Sequence, residues 1–134
     1  MQDLSKNPYR IARAFIGALF FISGLGKIAG FAGVAGWMAS AGLPFASPLL
    51  AATIAIEVGG GLLLILGFQA RWAALGIALF LIPVTAVFHA FWSADAASFQ
   101  NQFTQFLKNL AIFGGLVLVY LHEKQAATKF NPAA

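Results

Sequence analysis

No cysteine occurs among the 134 residues, which excludes disulfides, thiolate nucleophiles, Cys-ligated iron-sulfur clusters and thiolate zinc sites within the chain. Any redox chemistry needs a bound cofactor or a partner. Charge is scarce too: Asp and Glu number 4 and all charged residues make up 9%, against about 25% in a soluble domain. The eight Lys and Arg give a net charge of +4 and a pI near 9.9. They are dispersed at the ends of apolar runs, so they read as membrane topology and not as a nucleic-acid-binding patch. Only two histidines are present, His89 and His122. The four-span reading below puts them at opposite membrane faces, so neither a zinc nor a haem site is expected. No serine has the strand-turn-helix surroundings of a hydrolase nucleophile.

What fills the chain is apolar: 60% hydrophobic residues and a mean hydropathy of +0.85. Four runs, at about 11–28, 49–68, 72–92 and 103–121, suit helices of about 20 residues across a hydrocarbon core of roughly 30 Å. The expected fold is all-α and integral to a membrane: an antiparallel four-transmembrane-helix bundle forming one domain over residues 1–134. No room remains for a soluble domain. The first run resembles a signal peptide in its basic flank, but its best small-residue site, Ala39-Ser40-Ala41, lies too far beyond it, so a span is expected. Pro48 suits the first turn of the second helix and Gly67 its end. Trp72 and Trp92 bracket the third as interface anchors, and Pro83 inside it is expected to bend it.

The connections are equally readable. Residues 29–48, rich in Gly and carrying Phe31, Val34, Trp37 and Met38, read as a short interfacial segment. Gln69, Ala70 and Arg71 alone join the second and third helices, which predicts a tight antiparallel hairpin. Ahead of the fourth run, Phe99, Phe103, Phe106 and Leu110 make one stripe and Gln102, Gln105 and Asn109 another, so that helix should begin near Ala97 outside the bilayer. Lys6, Arg10, Arg13, Arg71, Lys124 and Lys129 fall on one membrane face, and only Lys27 and Lys108 on the other. The excess of basic residues marks the cytoplasmic side. Both termini are expected there.

An ionised side chain at mid-bilayer costs roughly 2.5–3.5 kcal/mol to insert, so intramembrane polar residues tend to face the bundle and find partners. Glu57 is the one ionisable residue of the second run. Helical side chains lean toward their own N-terminus, so Lys27 leans inward while Glu57 leans outward, and the two are expected to pair. Thr85 and His89 share a face of the third helix, and Asn109 adds polarity from the fourth. Lys27, Glu57, Thr85, His89 and Asn109 are the ligand-binding candidates; no residue can be assigned a catalytic role. Lys108 leans outward and can snorkel, which makes it a weaker candidate. Each has a plainer reading, Lys27 and His89 as headgroup-level residues and Glu57 as packing glue beside Gly59, Gly60 and Gly61. That glycine run lies inside a span and is no phosphate loop.

The stretches RIARAFIGALFFISGLGK (Arg10 to Lys27), Ala41-Gly42-Leu43-Pro44 and EVGGGLLLILG (Glu57 to Gly67) resemble the DoxX family of small four-helix membrane proteins. Arg71, His89, Lys108-Asn109 and Gly114-Gly115 add less specific support. The resemblance implies a bacterial-type inner (cytoplasmic) membrane location and kinship with small subunits of thiosulfate:quinone oxidoreductase and quinol oxidase systems. The first reading that follows is a quinone-linked redox subunit; the cofactor is left unassigned, with a quinone as the candidate, and the candidate partners are a redox protein or a second copy of the chain. The alternative is a non-enzymatic module that binds a lipid or small hydrophobic ligand, or scaffolds a membrane redox complex. Thiol exchange is excluded by the missing cysteines. A transporter ranks behind both, because one polar cluster gives little for alternating access.

Overall fold

A computed structural model describes residues 6–130 of the chain, helices joined by turns and short irregular links with no strand among them. Among the described residues six α-helices form: α1 (Lys6–Ala29), α2 (Phe31–Ser40), α3 (Ala46–Ile54), α4 (Gly60–Leu66), α5 (Ala70–Phe88) and α6 (Phe99–Phe130). A single π-helical turn, Ala55–Gly59, joins α3 to α4, and a 3₁₀ turn, Phe91–Ser93, follows α5. Four stretches are long and apolar enough to cross a membrane: Pro8–Ala29, Ala46–Leu66, Ala70–Ser93 and Phe99–Lys129. These four spans, with no strand, are the all-α membrane architecture that the hydropathy predicts. Lys6 and Asn7 begin α1, but their side chains, like residues 1–5 and 131–134, lie outside the description.

The elements fall into two compact units divided between Gln69 and Ala70. In the first, α1 packs against α4 and the π turn, and partners descend one helix as they ascend the other. Arg13 meets Leu64, Gly17 meets Gly61, and Gly24 meets Glu57 and Val58. The two spans are therefore antiparallel. Arg13, Gly17, Phe20, Gly24 and Lys27 recur along α1 at steps of three or four residues, one helical stripe. The opposite stripe, Ile11, Phe15 and Ile22, is exposed, Phe15 by 73%. A soluble helix would put polar residues there; large apolar ones are what a lipid-facing side requires.

Glycine makes the close approach possible. A Cβ on Gly61 would stand 2.7 Å from both Gly17 O and Phe21 N, and one on Gly17 would stand 2.6 Å from Gly61 O. Backbone thus touches backbone, the small-residue packing that substitutes for a hydrophobic driving force inside lipid. The segment expected to be interfacial is helical, as α2, and the following turn bends through Gly42 (φ 85°) and Phe45 (φ 54°).

In the second unit, α5 and α6 are antiparallel, and their rungs run from Arg71 beside Tyr120, through Thr85 beside Asn109, to His89 beside Gln102. The α-helix continues through Pro83 and ends at Phe88, short of Trp92, with the chain finishing the span in the 3₁₀ turn. Trp72 and Trp92 remain more than half exposed, as interface anchors should. Phe91 meets Trp92, Phe99, Phe103 and Phe106 edge to face, with centroids 5.0 to 6.0 Å apart, and closes that end of the hairpin. The helix α6 begins two residues past the expected Ala97. Asp95 organises its entry, accepting from both the Ser98 hydroxyl (2.6 Å) and the Ser98 N–H (2.8 Å). The Ser98 hydroxyl bond, then the N–H bond, holds the Asp95 carboxyl below the ordinary carboxylate range. At 32 residues α6 is about 48 Å long, so its ends reach past a core of roughly 30 Å.

Candidate functional site

Each candidate from the sequence has a placement. Lys27 and Glu57 come together: the Lys27 Nζ donates to Glu57 Oε2 at 2.8 Å and to Oε1 at 3.1 Å. Ser23, one turn before Lys27, joins them; its Oγ accepts from Nζ at 2.7 Å and donates to Glu57 Oε2 at 3.5 Å. The Glu57 side chain is 8% exposed and that of Lys27 27%. This asymmetry fits the geometry, because the carboxylate is enclosed while the lysine stem reaches it from nearer the end of its helix. The π turn carries Glu57, and such single turns inside helices are frequent at functional positions.

Gly24 is the unseen part of this arrangement. A Cβ there would lie 2.6 Å from Val58 Cγ2 and 3.1 Å from Glu57 Cβ. Only a bare Cα lets the π turn settle against α1 between Ser23 and Lys27. Neither Ser23 nor Gly24 stands out in the sequence, though the i, i+4 spacing of Ser23 and Lys27 is the signal that could have found the serine.

At the other end of the same stripe Arg13 is buried and donates from Nε to the Leu64 carbonyl at 2.8 Å, while its guanidinium abuts Gly67. The carbonyls of the last turn of α4 lack intrahelical donors, and a cation is favoured at that helix end. Arg13 therefore caps a span, a role its reading as a topological charge did not reveal.

Thr85 and Asn109 come together in the second unit, the Asn109 Nδ2 donating to Thr85 Oγ1 at 3.0 Å. His89, one turn beyond Thr85, has Nδ1 at 3.1 Å from Gln102 Oε1, a bond in which Nδ1 carries the proton and the amide oxygen accepts. Gln102 is the partner that the sequence placed in a polar stripe without assigning to the site. Lys108 is exposed and stands apart, as its outward lean predicts. No group of three or more metal-ligating side chains occurs among the described residues.

Beside the Thr85–Asn109 pair lies a cleft of about 290 Å³ between α5 and α6, lined by Leu81, Ile82, Ala86, Phe106, Leu110 and Phe113 besides the pair itself. Its polar lining is that pair alone. Asn109 keeps a second amide hydrogen, and the Thr85 hydroxyl, having accepted, keeps its own hydrogen to donate. Two donors thus stand at one place in an apolar wall, the usual composition of a site for a hydrophobic molecule.

Comparison with known proteins agrees with this architecture. The DoxX family model matches residues 9–90, the stretch holding α1 through α5. Among curated proteins, the inner membrane protein YqjF of Escherichia coli (strain K12) is 37% identical over 120 residues, covering 89% of this chain and 86% of that protein. The inner membrane protein YphA of the same organism is 33% identical over 111 residues, covering 81% of this chain and 78% of that protein. No solved structure gives a significant match.

Proposed function

The chain belongs to the DoxX family, and from that membership and the α5–α6 cleft we propose that it is the membrane subunit of a quinone-linked redox system. The observation that carries the reading is the cleft's single polar pair. A quinone headgroup is a flat ring with apolar faces and carbonyl oxygens at its edge. Phe106 and Phe113 offer it apolar wall, and the free hydrogens of Asn109 and Thr85 suit a carbonyl acceptor. The volume lies at the lower end of ligand pockets, adequate for a headgroup whose isoprenoid tail stays in lipid. A bound quinone would supply the two-electron, two-proton exchange that no side chain of this chain offers. Electrons would come from a redox partner, and His89, one turn beyond Thr85 and held by Gln102, is a group able to pass a proton.

In this reading residues 1–134 act as one membrane domain. The location is an inner membrane like that of the two relatives. Both termini are cytoplasmic, on the basic excess at Lys6, Arg10, Arg13, Arg71, Lys124 and Lys129. Reporter fusions at either terminus should be active only as cytoplasmic reporters, and activity in the opposite compartment would overturn the orientation.

The ligand is tested by extracting the purified protein with organic solvent and measuring quinone. About one equivalent should accompany the native chain, and Asn109→Leu with Thr85→Val should retain less than a tenth of it, from the loss of two hydrogen bonds of about 1 kcal/mol each. No quinone in the native extract, and none bound on reconstitution, would sink the proposal. One observation favours a second reading. Lys27, Ser23 and Glu57 satisfy one another, as they would in a non-enzymatic module that holds a lipid or hydrophobic ligand or scaffolds a redox complex. That module predicts that Glu57→Gln harms assembly or ligand retention with no redox phenotype of its own.

A further inference from the structure

A second polar arrangement lies at the opposite end of the α5–α6 hairpin, independent of the cleft. Arg71 stands in the first turn of α5, with its guanidinium carbon 4.7 Å from the Trp72 ring centroid and 5.5 Å from that of Tyr120. Two aromatic faces therefore hold the guanidinium. Its Nε is buried without an acceptor, and no residue among those described accepts a hydrogen bond from the side chain. The residue as a whole is only half-buried, so the Nη edge is the part that remains accessible.

A cation so placed is incompletely answered by its surroundings. The first turn of α5 contains no acidic residue, and the positive end of a helix dipole disfavours a cation unless an anion accompanies it. Lys124 follows Tyr120 by one turn on α6, and its side chain leans back toward that tyrosine. The one acid on the stretch, Glu123, is half-buried and has contacts of its own. Trp72, 57% exposed, sits where an aromatic belt meets headgroups.

We propose that Arg71, clamped between Trp72 and Tyr120 and supported by Lys124, binds a phosphate group, and that its source is the headgroup of an anionic phospholipid. Arginine presents paired donors matched to two phosphate oxygens. The aromatic rings fix the plane of the fork before binding, so little side-chain freedom is lost on contact. A headgroup is favoured over a soluble anion because Trp72 and Tyr120 belong to spans, and their rings offer apolar surface to the glycerol and first methylenes beneath the phosphate.

The test is lipid titration of the purified full chain in neutral detergent, read by native mass spectrometry, with phosphatidylglycerol against phosphatidylcholine. The native chain should take up its first phosphatidylglycerol at roughly tenfold lower concentration, the ratio expected for one charge-assisted contact. Arg71→Gln should bring the ratio to near one, and Arg71→Lys should leave it in between. Lys108→Gln, far along α6, should keep the native ratio. Melting temperatures of all variants, measured without added lipid, separate lost binding from lost fold; if Arg71→Gln unfolds, Lys124→Gln serves in its place and should lower the ratio. An unchanged preference in folded Arg71→Gln would overturn the proposal. Millimolar inorganic phosphate abolishing the native preference would overturn the lipid source and leave a soluble anion as the ligand.

Discussion

Lys27→Met should destabilise the protein by about 3 kcal/mol, because removing one partner of an enclosed ion pair leaves the other charge stranded. The stranded group is Glu57, which has 8% of its side chain exposed and both oxygens committed to Lys27. Ser23 alone cannot compensate, since its bond to the carboxylate is long at 3.5 Å. The reverse change is gentler. Glu57→Gln keeps the shape and leaves Lys27, with 27% of its side chain exposed, free to snorkel; it should cost about 1 kcal/mol. In the Glu57→Gln background Lys27→Met strands no charge, so its effect should shrink and the two changes should couple by roughly 2 kcal/mol. Average polar contacts between membrane helices are worth about 0.6 kcal/mol, so the size of the coupling identifies a true ion pair. Unfolding of the four proteins by SDS in mixed micelles gives the cycle. Additivity within about 0.5 kcal/mol would mean that the two residues do not act as a pair.

That pair was legible in the sequence for a physical reason, and its neighbours were not for an equally physical one. Insertion cost singles out any carboxylate inside a span, and side-chain lean selects the lysine able to reach it. A serine inside an apolar run carries no such penalty, so Ser23 becomes visible only when its position against Lys27 and Glu57 is known. Gly24 lets the π turn, and Gly17 lets α4, lie close against α1, and hydropathy does not record which helices meet. Arg13 illustrates the same limit: a basic residue at the end of a span counts identically for topology whether it faces headgroups or caps Leu64. Four spans followed directly from apolar run length. Their ends followed less well, and α6 runs to Phe130, beyond the expected Leu121. Polar helical residues continue a helix outside lipid without leaving any hydropathy signal. Thr85, His89 and Asn109 stand out in the sequence as polar, yet their partners are set by the packing of α5 on α6, which pairs His89 with Gln102 and Thr85 with Asn109.

The glycine run after Glu57 offers a comparison within one segment, and Gly61→Ala should cost about 1–3 kcal/mol, the range for forcing volume into a packed contact. The new methyl would lie 2.7 Å from Gly17 O and Phe21 N and 3.1 Å from Phe21 Cα. These are backbone atoms of α1 and cannot rotate away, so the helices must separate. Separation acts on the site as well as on stability, because the same face of α1 carries Ser23 and Lys27 toward Glu57. Gly59→Ala is the internal control. A Cβ there meets nothing within 4 Å, so the change should be neutral, or stabilising by up to about 1 kcal/mol from helix propensity alone. Two alanines placed two residues apart should thus move stability in opposite directions or nearly so, which a general intolerance of the span to substitution could not produce. The Lys27–Glu57 coupling, measured again in each background, should survive Gly59→Ala and fall by more than half in Gly61→Ala. Equal effects of the two alanines on stability, or a coupling untouched by Gly61→Ala, would show that the backbone contact between Gly17 and Gly61 does not hold α1 in place for the ion pair.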